Sequence, residues 1–104
     1  MRNVFIAGIG QTPVSKQATE EVRDLGARAV RNAIQHSTLE APSALYVGNM
    51  LSGILSEQQQ LGALISQSAG IPGIEAATVE AACGSGGAAV RWGVMAIQSG
   101  AHDL

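Results

Sequence analysis

The chain has 104 residues, enough for one small domain. Hydrophobic residues make up 46% and charged residues 13%, and the net charge is −2. These values exclude a disordered chain and the basic patch of a nucleic-acid-binding protein. A single cysteine excludes an internal disulfide and a CxxC metal site, so we expect no metal. No apolar run is long enough to cross a membrane, and a lone reduced thiol is typical of a cytoplasmic protein.

The first half of the chain predicts a strand, a helix and a second strand. Residues 3–9 form a short apolar run before glycines and a proline, which predicts a buried strand and a loop. Apolar residues at helical spacing then predict an amphipathic helix with Thr19 as its N-cap. Residues 44–47 form another apolar run, which ends at a glycine and predicts the second strand.

The second half continues the same alternation. Ser56 and Gln59 match a capping box, which predicts a helix that Gly70 ends. Residues 75–81 predict a third strand, and residues 88–99 predict a helix that is apolar nearly all round and hence buried on all sides. The β-α-β-α-β-α order predicts an α/β fold with a mainly parallel sheet. Because small apolar residues dominate, we expect a truncated unit that depends on further protein.

Cys83 lies between the third predicted strand and the apolar helix, and Gly84, Gly86 and Gly87 follow it closely. Amide N–H groups at a helix start stabilise a thiolate and can also bind the oxyanion of an acylated sulfur. Glycines let a bulky thioester approach, and the sites of parallel sheets lie at the carboxyl ends of strands. The pattern favours a nucleophile, although a single cysteine among small residues is also typical of a structural thiol.

The same glycines allow a second interpretation. Residues 84–89 fit the dinucleotide pattern G-x-G-x-x-A, and Asp103 follows about 20 residues later, although before rather than after the next predicted strand. His36 and His102 each follow a predicted helix and are interpreted as solvated residues at helix ends. Glu80 is either a structural polar contact or a nearby charge that disfavours a thiolate at the cysteine.

Three stretches of the sequence resemble the thiolase family of acyl-CoA acyltransferases. In chain order they are NVFIAGIGQTPV, YVGNMLSGILSEQQQLGALISQSAGIP and VEAACGSGGAAVRWGVMAIQSGAHDL. The Cys-Gly-Ser-Gly core of the third stretch is the most specific motif. The resemblance implies that residues 1–104 form the leading part of a thiolase N-terminal domain, a layered α/β half-domain, with the nucleophile segment at residues 76–100. Residues 56–60 and Gly87 depart from the usual family pattern, which leaves the acyl chain length open.

The resemblance also implies a reaction. The thiolase residue that matches Cys83 takes an acyl group from an acyl-CoA, in Claisen condensation or in thiolytic cleavage of a 3-ketoacyl-CoA. Gly84, Ser85 and Gly86 are implied to bind substrate. The resemblance implies no metal and no organic cofactor, because coenzyme A enters as substrate. Neither the family's Gly-His-Pro histidine nor its second cysteine occurs in these residues. We therefore expect the chain alone to be inactive.

The expected partners are acyl-CoA or CoA and the remainder of a thiolase chain or a complementing subunit. The resemblance also implies a homodimer or tetramer, paired through the third strand, and a role in lipid metabolism. Two alternatives stay open. One is a ketoacyl or hydroxymethylglutaryl synthase on the same fold, and the other is a non-catalytic thiolase-like subunit.

Overall fold

The chain folds into four helices and two strands, and the structure, a computed structural model, describes residues 1–104. In chain order the elements are α1 (Val22–Ser37), β1 (Ala44–Gly48), α2 (Ser52–Leu55), α3 (Leu61–Ser68), β2 (Glu75–Val79) and α4 (Ser85–Gln98). The strands pair in parallel, with Ala44 opposite Glu75 and Gly48 opposite Val79. The predicted α/β fold with a parallel sheet is therefore confirmed.

The helices cover both faces of the sheet. Tyr46 and Thr78 point to opposite faces, because Tyr46 pairs with Ala77 and side chains alternate along a strand. Helix α4 packs on the Tyr46 face, while α3 packs on the Thr78 face and separates the sheet from α1. The hydrophobic core is small and lies mainly between these layers: Ala27, Leu61, Ile65, Val79 and Ala89.

Residues 3–9 form no strand, so this prediction is wrong. The segment lies along α1, where a Cβ on Gly8 would be only 2.5 Å from the Ala33 carbonyl oxygen. The Ile9 N–H donates to His36 Nδ1 at 3.0 Å, and Phe5 and Ile6 remain more than 80% exposed. A strand needs a neighbouring strand for its main-chain hydrogen bonds, and this segment contacts helices instead. Hydropathy reports a tendency to be buried but does not identify the pairing partner.

Several predicted boundaries also move. Helix α1 begins at Val22 with Glu21 at the N-cap, so Thr19 does not cap it. Ser56 follows the extra one-turn helix α2, and α3 begins only at Leu61, so the capping box is wrong. Gly70 adopts a φ of +79° just after α3, which confirms it as the residue that ends this helix. None of the helices combines the length and hydropathy needed to cross a membrane.

Helix α4 is not buried on all sides. Val90, Trp92 and Met95 are 68%, 49% and 50% exposed, because the two-stranded sheet covers only one side of the helix. Beside it, an apolar cavity of about 440 Å³ is lined by residues 3–5 and 7, by Tyr46 and by α4. The predicted all-round burial is therefore wrong for this chain by itself. The outer face of α4 is left without a packing partner here.

Candidate active site

Cys83 lies at the carboxyl edge of the sheet, which we define as the end where β1 finishes at Gly48 and β2 at Val79. It occupies the connection from β2 to α4 and is exposed. The Asn49 N–H donates to the Val79 carbonyl at 3.1 Å and holds the two strand ends together. The structure thus has an exposed thiol at the edge where ligands bind in open parallel sheets.

The connection before Cys83 contains a tight and strained turn. Ala82 has a φ of +49°, in the left-handed region that an alanine adopts at a cost of about 1–2 kcal/mol. The Gly84 N–H donates to the Ala81 carbonyl at 2.9 Å, and the Ser85 N–H donates to the Ala82 carbonyl at 3.2 Å. These bonds fold the chain back on itself, so that Cys83 stands at the apex between strand and helix.

Two side chains hold this turn. One Glu80 carboxylate oxygen accepts the Ala82 N–H at 2.6 Å. The Ser85 hydroxyl accepts the Ala81 N–H at 2.8 Å and donates to the Ala82 carbonyl at 2.7 Å. Ser85 is only 4% exposed, so its hydroxyl is buried and occupied by the turn. The hydroxyl of Ser85 therefore lies on the buried side of the turn.

The main-chain N–H groups of Cys83, Gly86 and Gly87 donate no hydrogen bond within the chain. Helix α4 begins at Ser85, three residues earlier than predicted, so Gly86 and Gly87 lie in its first turn. The first amides of a helix have no intrahelical acceptor and carry partial positive charge. Gly84 is the N-cap residue and, like Gly86, is exposed. The turn can therefore stabilise an anion beside the thiol.

Gly48 also positions the site, although the sequence analysis did not identify it. A Cβ on Gly48 would be 2.3 Å from the Ser85 carbonyl oxygen, closer than atoms can approach. The glycine therefore lets the first turn of α4 lie directly against the end of β1. Its signal in the sequence is a glycine at the end of a predicted strand. By contrast, nothing in the sequence marks Ala82 as the residue with positive φ.

Neither histidine hydrogen-bonds to the Cys83 turn. His36 lies exposed in the last turn of α1, as predicted, and binds the Ile9 N–H. His102 contradicts its prediction as a solvated residue, because only 14% of its side chain is exposed. Its Nδ1 lies 2.8 Å from the Ser43 hydroxyl and its Nε2 lies 2.8 Å from the Glu75 carboxylate. It is a half-buried link between Ser43 just before β1, Glu75 of β2 and the segment after α4.

This network lies at the amino edge of the sheet, the end where both strands begin. The Tyr46 hydroxyl donates to the Glu75 carboxylate at 2.7 Å. The hydrogen bond from His102, and secondly that from Tyr46, lowers the pKa of Glu75. The bond to Glu75 in turn raises the pKa of Tyr46. The acid–base groups whose pKa values shift thus lie at the edge opposite Cys83.

Asp103 does not accompany the glycine-rich turn. Its carboxylate pairs with Arg2 at 2.9 Å, beyond the last residue of α4. The 14 residues of α4 separate it from Gly84 by roughly 20 Å at the usual rise per residue. This placement contradicts the dinucleotide interpretation, which needs the acid near the glycines. The structure also brings together no group of three or more His, Cys, Asp or Glu that could hold a metal ion.

Comparison with known proteins bears on the whole chain. Residues 4–104 match the family model described as the N-terminal domain of thiolase. A protein named acetyl-CoA acetyltransferase from Methanothermobacter thermautotrophicus is 40% identical over 106 residues. Another of that name from Methanocaldococcus jannaschii is 36% identical over 106 residues. The alignments cover 100% of this chain but only 28% and 27% of the two relatives.

Proposed function

We propose, from the premise that the chain belongs to the thiolase family, that Cys83 is the nucleophile of an acyl-CoA acyltransferase. In this proposal residues 1–104 are the leading part of the N-terminal domain, and residues 76–100 carry the nucleophile. The observation that supports it most is the exposed thiol at the start of α4, beside three amides that have no acceptor within the chain. The two relatives named acetyl-CoA acetyltransferase favour acetyl-CoA as one substrate.

The first step is acyl transfer to sulfur. The Cys83 thiolate attacks the thioester carbonyl carbon, and the carbonyl electron pair moves to oxygen as the tetrahedral intermediate forms. The free amides of Cys83 and Gly86 can donate to that oxyanion. The intermediate collapses with departure of the CoA thiolate, which leaves an S-acyl cysteine. Coenzyme A thus takes part as substrate, and this step needs neither a metal nor an organic cofactor.

The second step transfers the acyl group onward. In condensation, the carbanion of a second acetyl-CoA attacks the S-acyl group. In thiolysis, the Cys83 thiolate instead attacks the 3-keto carbon of a 3-ketoacyl-CoA, the bond between C2 and C3 breaks, and acetyl-CoA leaves as its enolate and takes up a proton; the acyl group then passes to the thiolate of CoA. In both directions the Cys83 thiolate is the leaving group of this second transfer. Either direction needs a base, and the two histidines of this chain hydrogen-bond elsewhere. We therefore propose that the remainder of a thiolase chain or a complementing subunit supplies the base and the second cysteine, within a homo-oligomer.

Gly84 and Gly86 are proposed to contact the incoming thioester. Both are exposed, and a Cβ on Gly86 would meet no atom of the chain within 4 Å. The absence of a side chain is therefore not required by packing at Gly86, and it leaves room for a bulky substrate. Ser85 is proposed to support the same site by holding the turn and not by touching the substrate, because its hydroxyl already hydrogen-bonds to the main chain of Ala81 and Ala82.

Acyl labelling tests this proposal. The protein as the cell produces it is incubated with acetyl-CoA, and the acetylated residue is mapped by mass spectrometry. We expect the acetyl group on Cys83, released by hydroxylamine as a thioester is. Labelling at any other residue contradicts the proposed nucleophile. An unlabelled protein supports the non-catalytic thiolase-like subunit instead.

A further inference from the structure

The turn before Cys83 is held by two side chains, the exposed carboxylate of Glu80 and the buried hydroxyl of Ser85. Glu80 fixes the peptide plane before Ala82 by accepting its N–H. Ser85 fixes the peptide plane after Ala82 by donating to its carbonyl. We infer that Glu80 and Ser85 are positioning residues that together aim Cys83 for acyl transfer. This inference rests on the proposed role of Cys83 as nucleophile.

The geometry of one peptide plane connects Ser85 to the reaction. The Ala82 carbonyl and the Cys83 N–H belong to the same planar peptide and point in opposite directions. When Ser85 holds that carbonyl, it also fixes the direction of the Cys83 N–H, one of the three amides without an acceptor. Ser85 therefore orients a proposed oxyanion donor without touching the substrate.

Glu80 acts on the other side of the same residue. A left-handed alanine is readily lost to the extended region unless its neighbouring peptide groups are restrained. The 2.6 Å bond from the Ala82 N–H to Glu80 supplies that restraint and is charge-assisted. If Ala82 moved from the left-handed to the extended region, the orientation of Cys83 would change as well. The carboxylate is thus placed to hold the backbone, although its charge alone would disfavour a thiolate nearby.

Four variants separate these effects: E80A, E80Q, S85A and E80A combined with A82G. They are made in the protein as the cell produces it, and the rate of single-turnover acetyl transfer from acetyl-CoA to Cys83 is measured. We expect E80A to slow the transfer about tenfold and S85A roughly hundredfold, as for small misplacements of a reacting group. We expect E80Q to stay within about threefold of the parent, because its amide oxygen can still accept the Ala82 N–H.

The A82G change tests the mechanism directly. Glycine adopts a positive φ without steric cost, so it reduces the need for a restraint at this residue. We expect E80A with A82G to recover transfer to within about threefold of the parent. The control reaction is alkylation of Cys83 by iodoacetamide. Alkylation develops no oxyanion, so we expect it to change less than about threefold in every folded variant.

Each outcome has a defined meaning. Folded E80A and S85A variants that transfer acetyl at the parent rate overturn the inference and leave Cys83 as the nucleophile. E80Q as slow as E80A overturns the role of Glu80, because charge and not the hydrogen bond would then matter. If S85A fails to fold, the comparison of E80A with E80Q still tests the inference, because Glu80 is exposed. A parent protein that takes no acetyl group contradicts the proposed function itself, and the inference falls with it.

Discussion

At the amino edge of the sheet, Ser43, Glu75 and His102 hydrogen-bond to one another, whereas at the carboxyl edge Cys83 makes no side-chain hydrogen bond. The hydrogen bonds at the amino edge tie β1 and β2 to the segment after α4. At the carboxyl edge, the N–H groups of Cys83, Gly86 and Gly87 are unpaired, and the backbone of Ala82 is strained. Satisfied polar groups stabilise a fold, while unpaired groups at a strained turn are typical of a functional site. Four changes test this contrast.

The largest effect is expected at the nucleophile. Replacing Cys83 by serine removes the thiol and abolishes acetyl labelling at this residue, because a hydroxyl is a far weaker acid than a thiol and stays protonated where a thiol can ionise. Folding is expected to change by less than about 0.5 kcal/mol, since the residue is exposed and makes no side-chain hydrogen bond. Mass spectrometry measures the acetyl labelling, and thermal unfolding measures the stability. A C83S protein that is acetylated at the same rate contradicts it.

The next effect is expected where β1 meets α4. G48A places a Cβ 2.3 Å from the Ser85 carbonyl oxygen, so the helix start must move and the unfolding free energy falls by about 1–3 kcal/mol. Gly53 provides a matched control, because a Cβ there meets nothing within 4 Å. Urea unfolding of G48A and G53A side by side measures the difference. Equal stabilities would show that the close approach is not needed.

A smaller and opposite effect is expected in the first turn of α4. Gly87 lies inside the helix and a Cβ there would meet no atom within 4 Å. G87A is therefore expected to raise the unfolding free energy by about 0.5–1 kcal/mol, the usual gain of alanine over glycine in a helix. Urea unfolding measures it. A destabilised G87A protein would show that the open carboxyl edge is packed against something after all.

The smallest effect concerns pH at the amino edge. Because hydrogen bonds lower the pKa of Glu75, its contribution to stability is present above the ordinary pKa of a glutamate. It is lost as the pH falls through the lowered value. We expect the stability gap between the parent and E75Q to narrow as the pH falls below about 4. Unfolding measured from pH 7 to pH 3 checks this, and a gap that stays constant contradicts it.

Local patterns predicted most of the regular structure. Residues 44–47 and 75–81, the segments predicted as the second and third strands, do contain β1 and β2. Gly70 ends α3 because the left-handed conformation there has no steric cost for glycine. The position of Cys83 between a strand and a helix could also be predicted, because the local sequence predicts both elements. These features depend on neighbours in the sequence.

Features that depend on distant partners were missed or wrong. Residues 3–9 have the hydropathy of a strand, but they form no strand, and Gly8 and Ile9 contact α1 instead. His102 has the sequence position of a solvated residue at a helix end, yet it is half-buried. Its two ring nitrogens meet Ser43 and Glu75, which lie 59 and 27 positions away in the chain. No window of sequence contains those partners.

The amino acids alone predict the two paired strands, the three longer helices, the glycine-rich turn and the single thiol, because these features arise from hydropathy, chain stiffness and composition. Only the three-dimensional fold decides which polar groups around that thiol form hydrogen bonds within the chain. It buried the Ser85 hydroxyl under the turn, placed Glu80 on the Ala82 N–H and left three amides free. Hydrogen-bond partners are chosen by distance in space, so only the packed chain determines them.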